Sequence, residues 1–282
     1  MSGLRFWKTQ TVGNDFILLH ADDVAEAGLE DDLPSVAQVL CERQFGVGSD
    51  GLLVIEAHDG ALSQRMFNPD GTEDFCGNGL RCSALHASRL GLVGPEHQIE
   101  HFGRVIQARV QPDGQVSVAI GVAVYDPEMV PLNAELHPGE LVEEEVAGLV
   151  GTAVNTGTTH FVAFVDELPS DAEIARIGPL VEHDSIFPER TSVIFAKPTD
   201  ERSLSIRIWE RGVGETLGCG TGSSAAAAVW MRRTGDSSEV CVTQPGGVLT
   251  VSARPSDGSL ITASRPVEPF SGVVPIELFP KS

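Results

Sequence analysis

A short cysteine motif occurs twice in this sequence, and the duplication strongly constrains how the chain can fold. Cys-Gly-Asn-Gly occupies residues 76–79 and Cys-Gly-Thr-Gly occupies residues 219–222, and each copy runs into an apolar stretch typical of a helix. The two cysteines are 143 positions apart in a chain of 282 residues. A repeat at about half the chain length indicates two similar halves, each with a cysteine where a helix begins.

Three further pairs of motifs recur in the same order, which extends the duplication beyond the cysteines. The offsets within the pairs lie between 142 and 144 positions, close to the spacing of the cysteines. The pairs are Gly13-Asn14 with Gly157-Thr158, Phe45 with Phe187, and Asn68 with Arg211. We therefore expect both halves to share one arrangement of elements, with the break between them near residues 121–126.

Short β-branched segments separated by turn residues make up most of the chain, a pattern that predicts strands. Helical signals are confined to residues 34–43, 79–90, 171–181 and 222–233. The pattern predicts an α+β fold in which strands dominate and each half holds one buried central helix.

A cysteine at a helix N-terminus is predicted to be chemically reactive. The first N–H groups of a helix have no intrahelical partner, and the helix dipole favours negative charge there. We expect this setting to lower the pKa of Cys76 and Cys219 from about 8.5 towards neutrality. Two such thiols suit racemisation or epimerisation, which needs one acid–base group on each face of one carbon. The alternative, a pair of buried and inert cysteines, is disfavoured by the repeated glycine-rich context.

Composition excludes several other classes of function. A formal net charge of −21 argues against a nucleic-acid partner, and no apolar run approaches the roughly 18 residues of a membrane span. The five cysteines are an odd number at irregular spacings, which predicts free thiols and a cytoplasmic location. Cys82 falls inside a predicted helix, so we expect no metal site with Cys76. The sequence also lacks a cofactor-binding motif, and we expect no cofactor.

Four segments resemble the diaminopimelate epimerase family. They are residues 12–16 (VGNDF), 45–51 (FGVGSDG), 68–82 and 210–222. The resemblance implies two pseudo-symmetric, barrel-like domains, each wrapped around a central α-helix, with the active site in the cleft between them. It places residues 1–122 and about 270–282 in the first domain and residues 123–269 in the second. Proline racemases usually have His at the position of Asn78, and phenazine-biosynthesis relatives lack the cysteine pair, so both are weaker matches.

The resemblance also implies roles for individual residues. Its catalytic residues are the thiols Cys76 and Cys219, assisted by His160 and Glu210. Its substrate-binding residues are Asn14, Asn68, Gly77, Asn78, Thr158, Ser192, Arg211, Gly220 and Thr221. One thiolate would remove the α-proton while the other thiol delivers a proton to the opposite face. Asn68 could instead cap the local Asn-Pro-Asp-Gly turn.

Two departures from the family pattern leave the substrate open. Thr158 and Ser192 stand where the family usually has asparagines that hold the far end of diaminopimelate, and each offers one hydroxyl in place of an amide. The leading hypothesis is interconversion of LL- and meso-diaminopimelate. The alternatives are a racemase of another amino acid, such as histidine, and a binding protein of the same fold. The expected partners are a small amino-acid substrate and a second copy in a homodimer.

Overall fold

A computed structural model describes residues 3–279, which form a strand-rich fold. The strands in chain order are β1 (Gly3–Thr11), β2 (Asn14–His20), β3 (Gly51–His58), β4 (Ala61–Phe67), β5 (Glu96–His101), β6 (Arg104–Val110), β7 (Val116–Gly121), β8 (Glu144–Val146), β9 (Leu149–Asn155), β10 (Thr159–Phe164), β11 (Ser192–Asp200), β12 (Ser203–Glu210), β13 (Gly214–Thr216), β14 (Val240–Gln244), β15 (Gly247–Ala253), β16 (Leu260–Ser264) and β17 (Val267–Pro275). The α-helices are α1 (Ala21–Glu26), α2 (Leu33–Cys41), α3 (Gly77–Arg89), α4 (Asp171–Glu182) and α5 (Gly220–Thr234).

All four predicted helices are present, and their bounds differ from the prediction by no more than two residues at either end. The short helix α1, which has six residues and buries only Val24, was not predicted from the sequence. No helix among residues 3–279 is long and apolar enough to span a membrane.

The chain divides into two compact units. The first unit contains the described residues up to Val118 and those from Ala263 onward, and the second unit is Ala119–Thr262. These boundaries lie a few residues before the predicted ones, at 122 and about 270. Positions 280–282 of the predicted returning segment lie outside the described residues. Strand β17 joins the first unit by pairing antiparallel with β1.

Both units repeat one order of strand pairing. In the first unit β1 and β2 are antiparallel, β2 and β3 parallel, β3 and β4 antiparallel, β4 and β5 parallel, and β5 and β6 antiparallel. The second unit repeats this series with β9, β10, β11, β12, β14 and β15. Because the order of parallel and antiparallel pairs is the same throughout, the duplication read from the motifs extends to the strand topology.

Each unit encloses one central helix. Helix α3 buries every residue from Asn78 to Ala87 and packs against β1, β3, β4 and β6. Helix α5 buries Gly222–Val229 and packs against β9, β10, β11, β12 and β15. Apolar side chains dominate the α5 interior through the run Ala225–Ala228, which allows close approach of the surrounding strands.

The third residue of each central helix is a glycine that lies close to a strand side chain. A Cβ atom on Gly79 would lie 2.8 Å from Leu53 Cδ2, and one on Gly222 would lie 2.9 Å from Ile194 Cδ1. Both distances are too short for carbon atoms, so a larger side chain would force the Leu53 or Ile194 methyl group or the helix start to shift. The second glycine of each motif therefore allows the helix start to pack closely against its sheet.

Candidate active site

Cys76 is the N-cap residue of α3, and its sulfur lies against the free N–H groups of the helix. Its backbone is extended (φ −139°, ψ 105°), and Gly79 N–H donates to Sγ at 3.3 Å. Sulfur thus takes the place that a serine or aspartate oxygen takes in an ordinary N-cap. The local fold therefore places the thiol at the N-terminus of a helix that is buried from Asn78 to Ala87.

A short polar network surrounds Cys76 within the first unit. Asn14 follows the tight turn between β1 and β2, and its Oδ1 lies 4.0 Å from Cys76 Sγ and accepts from Asn78 Nδ2 at 3.1 Å. Arg81, which is fully buried, donates to Asn78 Oδ1 and, at 2.8 Å, to Ser264 Oγ. The structure thus brings together Asn14, Cys76 and Asn78 as one half-site, and Arg81 orients it.

Asn68 lies in the turn that precedes Cys76 and uses its polar atoms there. Its backbone N–H donates to Thr72 O at 2.8 Å, and its Nδ2 donates to Thr72 Oγ1 at 3.0 Å. These bonds fit the turn-capping alternative for Asn68. Its side chain is half-buried, and binding of substrate by Asn68 stays a prediction.

Cys219 has the same position in the second unit as the N-cap of α5. Gly222 N–H donates to its Sγ at 3.4 Å, and Thr221 Oγ1 lies 3.3 Å from the sulfur. Glu210 also interacts with the thiol through a side-chain hydrogen bond, and it accepts one from Thr216. The second half-site therefore contains a carboxylate next to the sulfur.

The remaining predicted residues of the second unit form two pairs. Thr158 Oγ1 and His160 Nε2 lie 3.0 Å apart, and Arg211 N–H donates to Ser192 Oγ at 3.1 Å. His160 and Ser192 are also directly paired in the β10–β11 register. Thr158 and Ser192 therefore already have partners within the protein, and the exposed Arg211 side chain donates from Nη1 to Glu189 O at 3.1 Å.

The expectation of a lowered thiol pKa is wrong for the protein without substrate. Burial raises the pKa of Cys76 to about 11, although the N–H groups of Gly79 and Asn78 and the charge of Arg81 act in the opposite direction. Burial, followed by the charge of Glu210, raises the pKa of Cys219 as well. Removal of water from the thiolate outweighs the stabilisation by the helix N-terminus. Both thiols are therefore protonated at neutral pH.

His160 is a neutral imidazole in this fold. It is completely buried, and burial together with the nearby charge of Arg211 lowers its pKa to about 3. Among the described residues its Nδ1 has no hydrogen-bond partner. His160 can therefore accept or pass on a proton only as a neutral base, and its direct contact is with Thr158.

Two residues that hold the cysteine backbones were not predicted from the sequence. His101 Nε2 accepts from Cys76 N–H at 3.0 Å, and Gln244 Oε1 accepts from Cys219 N–H at 3.1 Å. They are 143 positions apart, the same offset as the cysteines. This equal offset was a usable signal, but two different side chains at equivalent positions do not stand out as a repeated motif. Within residues 3–279, no group of three or more His, Cys, Asp or Glu side chains could hold a metal ion.

Solved structures with the same fold identify the structural class. A hydroxyproline epimerase from Agrobacterium vitis, with bound trans-4-hydroxy-L-proline, matches 97% of this chain and 92% of its own with a TM-score of 0.65 at 12% identity. A phenazine biosynthesis protein of the PhzF family from Bacillus anthracis matches 98% and 100% with a TM-score of 0.68 at 18% identity. At these identities the likeness concerns the fold, and it confirms the predicted two-domain, β-rich architecture of epimerases and their relatives.

Sequence comparison then gives the family. The diaminopimelate epimerase family profile matches residues 6–125 and 152–265. The diaminopimelate epimerase of Moorella thermoacetica is 36% identical over 97% of this chain and 100% of its own length. That of Methanothrix thermoacetophila is 39% identical over 89% and 90%. The chain belongs to the diaminopimelate epimerase family, as the sequence motifs predicted.

Proposed function

We propose that this protein is a cofactor-independent isomerase that interconverts LL- and meso-2,6-diaminopimelate, a step in the synthesis of lysine and peptidoglycan. The observation that carries the proposal is the pair of equivalent cysteines, each the N-cap of the buried central helix of its own unit. Membership of the family supports the substrate. The acidic composition and the strand topology would fit many other proteins, but the duplicated thiol cap would not.

The reaction needs a base and an acid on opposite faces of the α-carbon. One cysteine, as thiolate, removes the α-proton, and the other, as thiol, returns a proton from the opposite side. Both half-sites must therefore reach the same substrate. The free N–H groups at the start of α3 and α5 stabilise the negative charge that builds up on the substrate as its proton leaves. Gly77, Asn78, Gly220 and Thr221 contribute this part of the site.

A raised thiol pKa suits this chemistry once the thiolate has formed. An α-proton beside a carboxylate is very weakly acidic, and a thiolate whose conjugate acid has a high pKa is a stronger base. The positive charge of the substrate ammonium and of Arg81 favours ionisation of Cys76. In the second half-site, Glu210 can accept the proton of Cys219 directly. The family resemblance assigns neutral His160 a supporting role in the proton balance of the thiols, and its direct contact is with Thr158.

Substrate recognition is assigned to polar groups around the two thiols. Arg211 has an exposed guanidinium, whose planar donors match a carboxylate. Asn14 and Asn68 would bind from the first unit, and Thr158 and Ser192 from the second. The hydroxyl groups of Thr158 and Ser192 are held by His160 and by the Arg211 backbone, which fixes their direction.

The test is exchange of the substrate α-proton with solvent. Purified protein is incubated in D₂O with LL-diaminopimelate, and deuterium at the α-carbon is followed by NMR together with formation of the meso form. The single-thiol variants Cys76→Ser and Cys219→Ser serve as controls. Absence of both exchange and isomerisation in correctly folded protein would refute the assignment.

A second candidate, a racemase of another amino acid, is favoured by one specific observation. Thr158 and Ser192 replace family asparagines and are already hydrogen-bonded within the protein. The part of the site around Thr158 and Ser192 could therefore accept an amino acid whose side chain lacks the second ammonium and carboxylate groups of diaminopimelate. A parallel assay with histidine, lysine and glutamate distinguishes the two candidates, because exchange with one of these and not with diaminopimelate supports the second.

We also propose a homodimer in the cytoplasm. Phe270 and Val273 on β17 are 52% and 62% exposed, which is high for apolar side chains and supports a contact with a second copy. All five cysteines are free, in keeping with a reducing compartment. Sedimentation equilibrium of the wild type and of Phe270→Asp tests the dimer, since a monomeric wild type would contradict it.

A further inference from the structure

The backbone of Cys76 is held by a buried histidine on a neighbouring strand. His101 ends β5 and is only 2% exposed. Its Nε2 accepts the hydrogen bond of Cys76 N–H at 3.0 Å, and its Nδ1 lies 3.0 Å from the backbone oxygen of Gln64. Both partners are main-chain groups, so the Cys76 N–H can act only as a donor and the Gln64 carbonyl only as an acceptor.

These two partners fix the protonation state of His101. The Gln64 carbonyl can only accept, so Nδ1 must carry a proton, and the Cys76 N–H can only donate, so Nε2 must be bare. The neutral Nδ1–H tautomer is the single form that satisfies both bonds. A proton on Nε2 would place two N–H groups against each other and break the bond to Cys76.

The equivalent position in the second unit has no titratable group. Gln244 ends β14, is 4% exposed, and its Oε1 accepts from Cys219 N–H at 3.1 Å and from Ser223 Oγ at 3.2 Å. An amide does not titrate in the pH range in which histidine gains a proton, so its oxygen remains a hydrogen-bond acceptor throughout that range. The two units thus hold equivalent cysteines by equivalent bonds, but only the first bond can be broken by a proton.

The charged groups that act on His101 come from two neighbouring segments, the turn before Cys76 and strand β6. Phe75 stacks on the imidazole with ring centroids 5.2 Å apart. The guanidinium of Arg104 on β6 lies over the Phe75 ring, 5.0 Å from its centroid. Glu73 and Asp74, which precede Cys76, favour the charged imidazole, whereas Arg104 opposes it. Burial has the largest effect and lowers the pKa of His101 below its ordinary value.

We propose that His101 is a positioning residue for Cys76, and that protonation of His101 releases the start of α3 while Gln244 keeps the start of α5 in place over the pH range in which His101 titrates. Cys76 is the N-cap of α3, so loss of the bond to its backbone changes the direction of Sγ relative to the Gly79 N–H. Acid therefore disables the first half-site before the second.

NMR tests the bond without reference to activity. Protein labelled with [¹⁵N]cysteine gives five amide signals, one for each cysteine, which single Cys→Ser variants assign. In the wild type, we expect the Cys76 amide to move on acidification with a midpoint below about 6.5, together with the His101 ring signals. The Cys219 amide should stay constant over the same range. Ring ¹⁵N shifts at pH 7.5 should report the Nδ1–H tautomer of His101.

Kinetics tests the consequence for catalysis, and this arm alone rests on the proposed function. His101→Leu removes the acceptor, and we expect kcat to fall about 10-fold, the effect of one unsatisfied buried N–H. His101→Gln copies Gln244 and should restore kcat to within about 3-fold of the wild type. It should also move the acid limb of the kcat profile to lower pH, because the glutamine does not titrate.

The matched control is His97→Gln on the same strand. His97 is also buried, its Nδ1 lies 2.9 Å from Gly94 O, and its pKa is also lowered by burial. It does not hold a cysteine backbone, so His97→Gln should leave kcat and its acid limb unchanged.

The outcomes separate the two proposals. An Nε2–H tautomer at pH 7.5, or a Cys76 amide that ignores the titration of His101, would overturn the role of His101 whether or not the protein is active. Equal acid limbs in the wild type and His101→Gln would also overturn it. A titrating Cys76 amide in a protein inactive on every amino acid supports the role of His101 and removes the proposed reaction.

Discussion

The backbone N–H of Gly212 donates a 2.8 Å hydrogen bond to the carboxylate of Glu182, which is 3% exposed at the end of α4. The other carboxylate oxygen accepts from Trp209 Nε1 at 2.7 Å. Glu182 therefore holds both sides of the segment that contains Glu210 and Arg211. Gln38 of α2 lies 144 positions before Glu182 and has a similar role in the first unit. Its Nε2 donates at 2.7 Å to Asp70 O in the turn before Cys76.

This contact predicts the effect of Glu182→Gln. A glutamine offers one acceptor oxygen in place of two, so one of the N–H groups of Gly212 and Trp209 loses its partner. We expect kcat/KM to fall about 10-fold, mainly through a higher KM, because the Arg211 turn is no longer fixed. Steady-state kinetics with separate determination of kcat and KM measures the effect. Glu167→Gln, the same change on an exposed carboxylate, is the control and should have no effect.

Serine at either cysteine should abolish activity and leave the fold intact. Serine is among the preferred N-cap residues, so Cys76→Ser and Cys219→Ser keep the bond from Gly79 or Gly222 to the cap. We expect thermal unfolding at or slightly above the wild-type temperature, whereas kcat falls at least about 10²-fold for loss of one acid–base group. Circular dichroism and the exchange assay measure the two effects. Unfolding of both variants well below the wild-type temperature would contradict the capping role.

The raised pKa of Cys76 predicts slow alkylation at neutral pH. With a pKa of about 11, very little thiolate is present at pH 7, although its higher nucleophilicity compensates in part. We expect iodoacetamide to modify Cys76 about 10- to 100-fold more slowly than free cysteine at pH 7. The rate should rise about 10-fold per pH unit up to pH 9, where free cysteine already levels off. Mass spectrometry of the Cys76 peptide gives the rate, and a plateau below pH 8 would contradict the raised pKa.

Buried His160 should make the fold less stable in mild acid. Its pKa is about 3 in the folded protein and about 6.5 when unfolded, so between these values the unfolded chain binds the additional proton. This contribution to stability is therefore fully present above about pH 6.5 and is lost as the pH falls towards 3. At pH 5 its loss is about 2 kcal/mol. Urea unfolding at pH 7.5 and 5.0 should show a loss about 2 kcal/mol larger in the wild type than in His160→Gln. His58→Gln, on an exposed histidine, should behave like the wild type.

The Thr158 hydroxyl predicts a graded pair of variants. Thr158→Val keeps the shape but removes the bond to His160 Nε2, and we expect kcat/KM to fall about 10-fold. Thr158→Ser retains the hydroxyl and should stay within about 3-fold of the wild type. Kinetics of both variants at one pH measures the difference, and equal values would show that the hydroxyl has no part in the reaction.

The features that could be predicted from sequence are those that a local pattern determines. The Cys-Gly-X-Gly motifs located both helix starts, and the offsets near 143 predicted a duplication that extends to the strand pairing. Glu73 and Glu215 occupy corresponding places in the two halves, and each forms an ion pair with an arginine eight residues earlier, Arg65 or Arg207.

The features that the sequence could not supply depend on contacts between distant segments. The sign of the cysteine pKa shift was wrong because helix termini are visible in a sequence, whereas the burial that outweighs them is not. Strand β5 lacks the β-branched pattern that predicts strands, because two of its three inward-facing residues, His97 and His101, are polar and only Ile99 is apolar. The role of His101 requires the pairing of β5 with β4, which brings it next to Cys76.

The pairing of β17 with β1 determines the order in which the first unit can be completed. Strand β1 pairs on one side with β2, which follows it directly in the chain, and on the other side with β17, which begins only at Val267. On the ribosome, the contiguous second unit is made before β17 emerges. The unit that begins the chain is thus the last to finish its sheet, and a stop codon late in the gene would damage the half that was translated first.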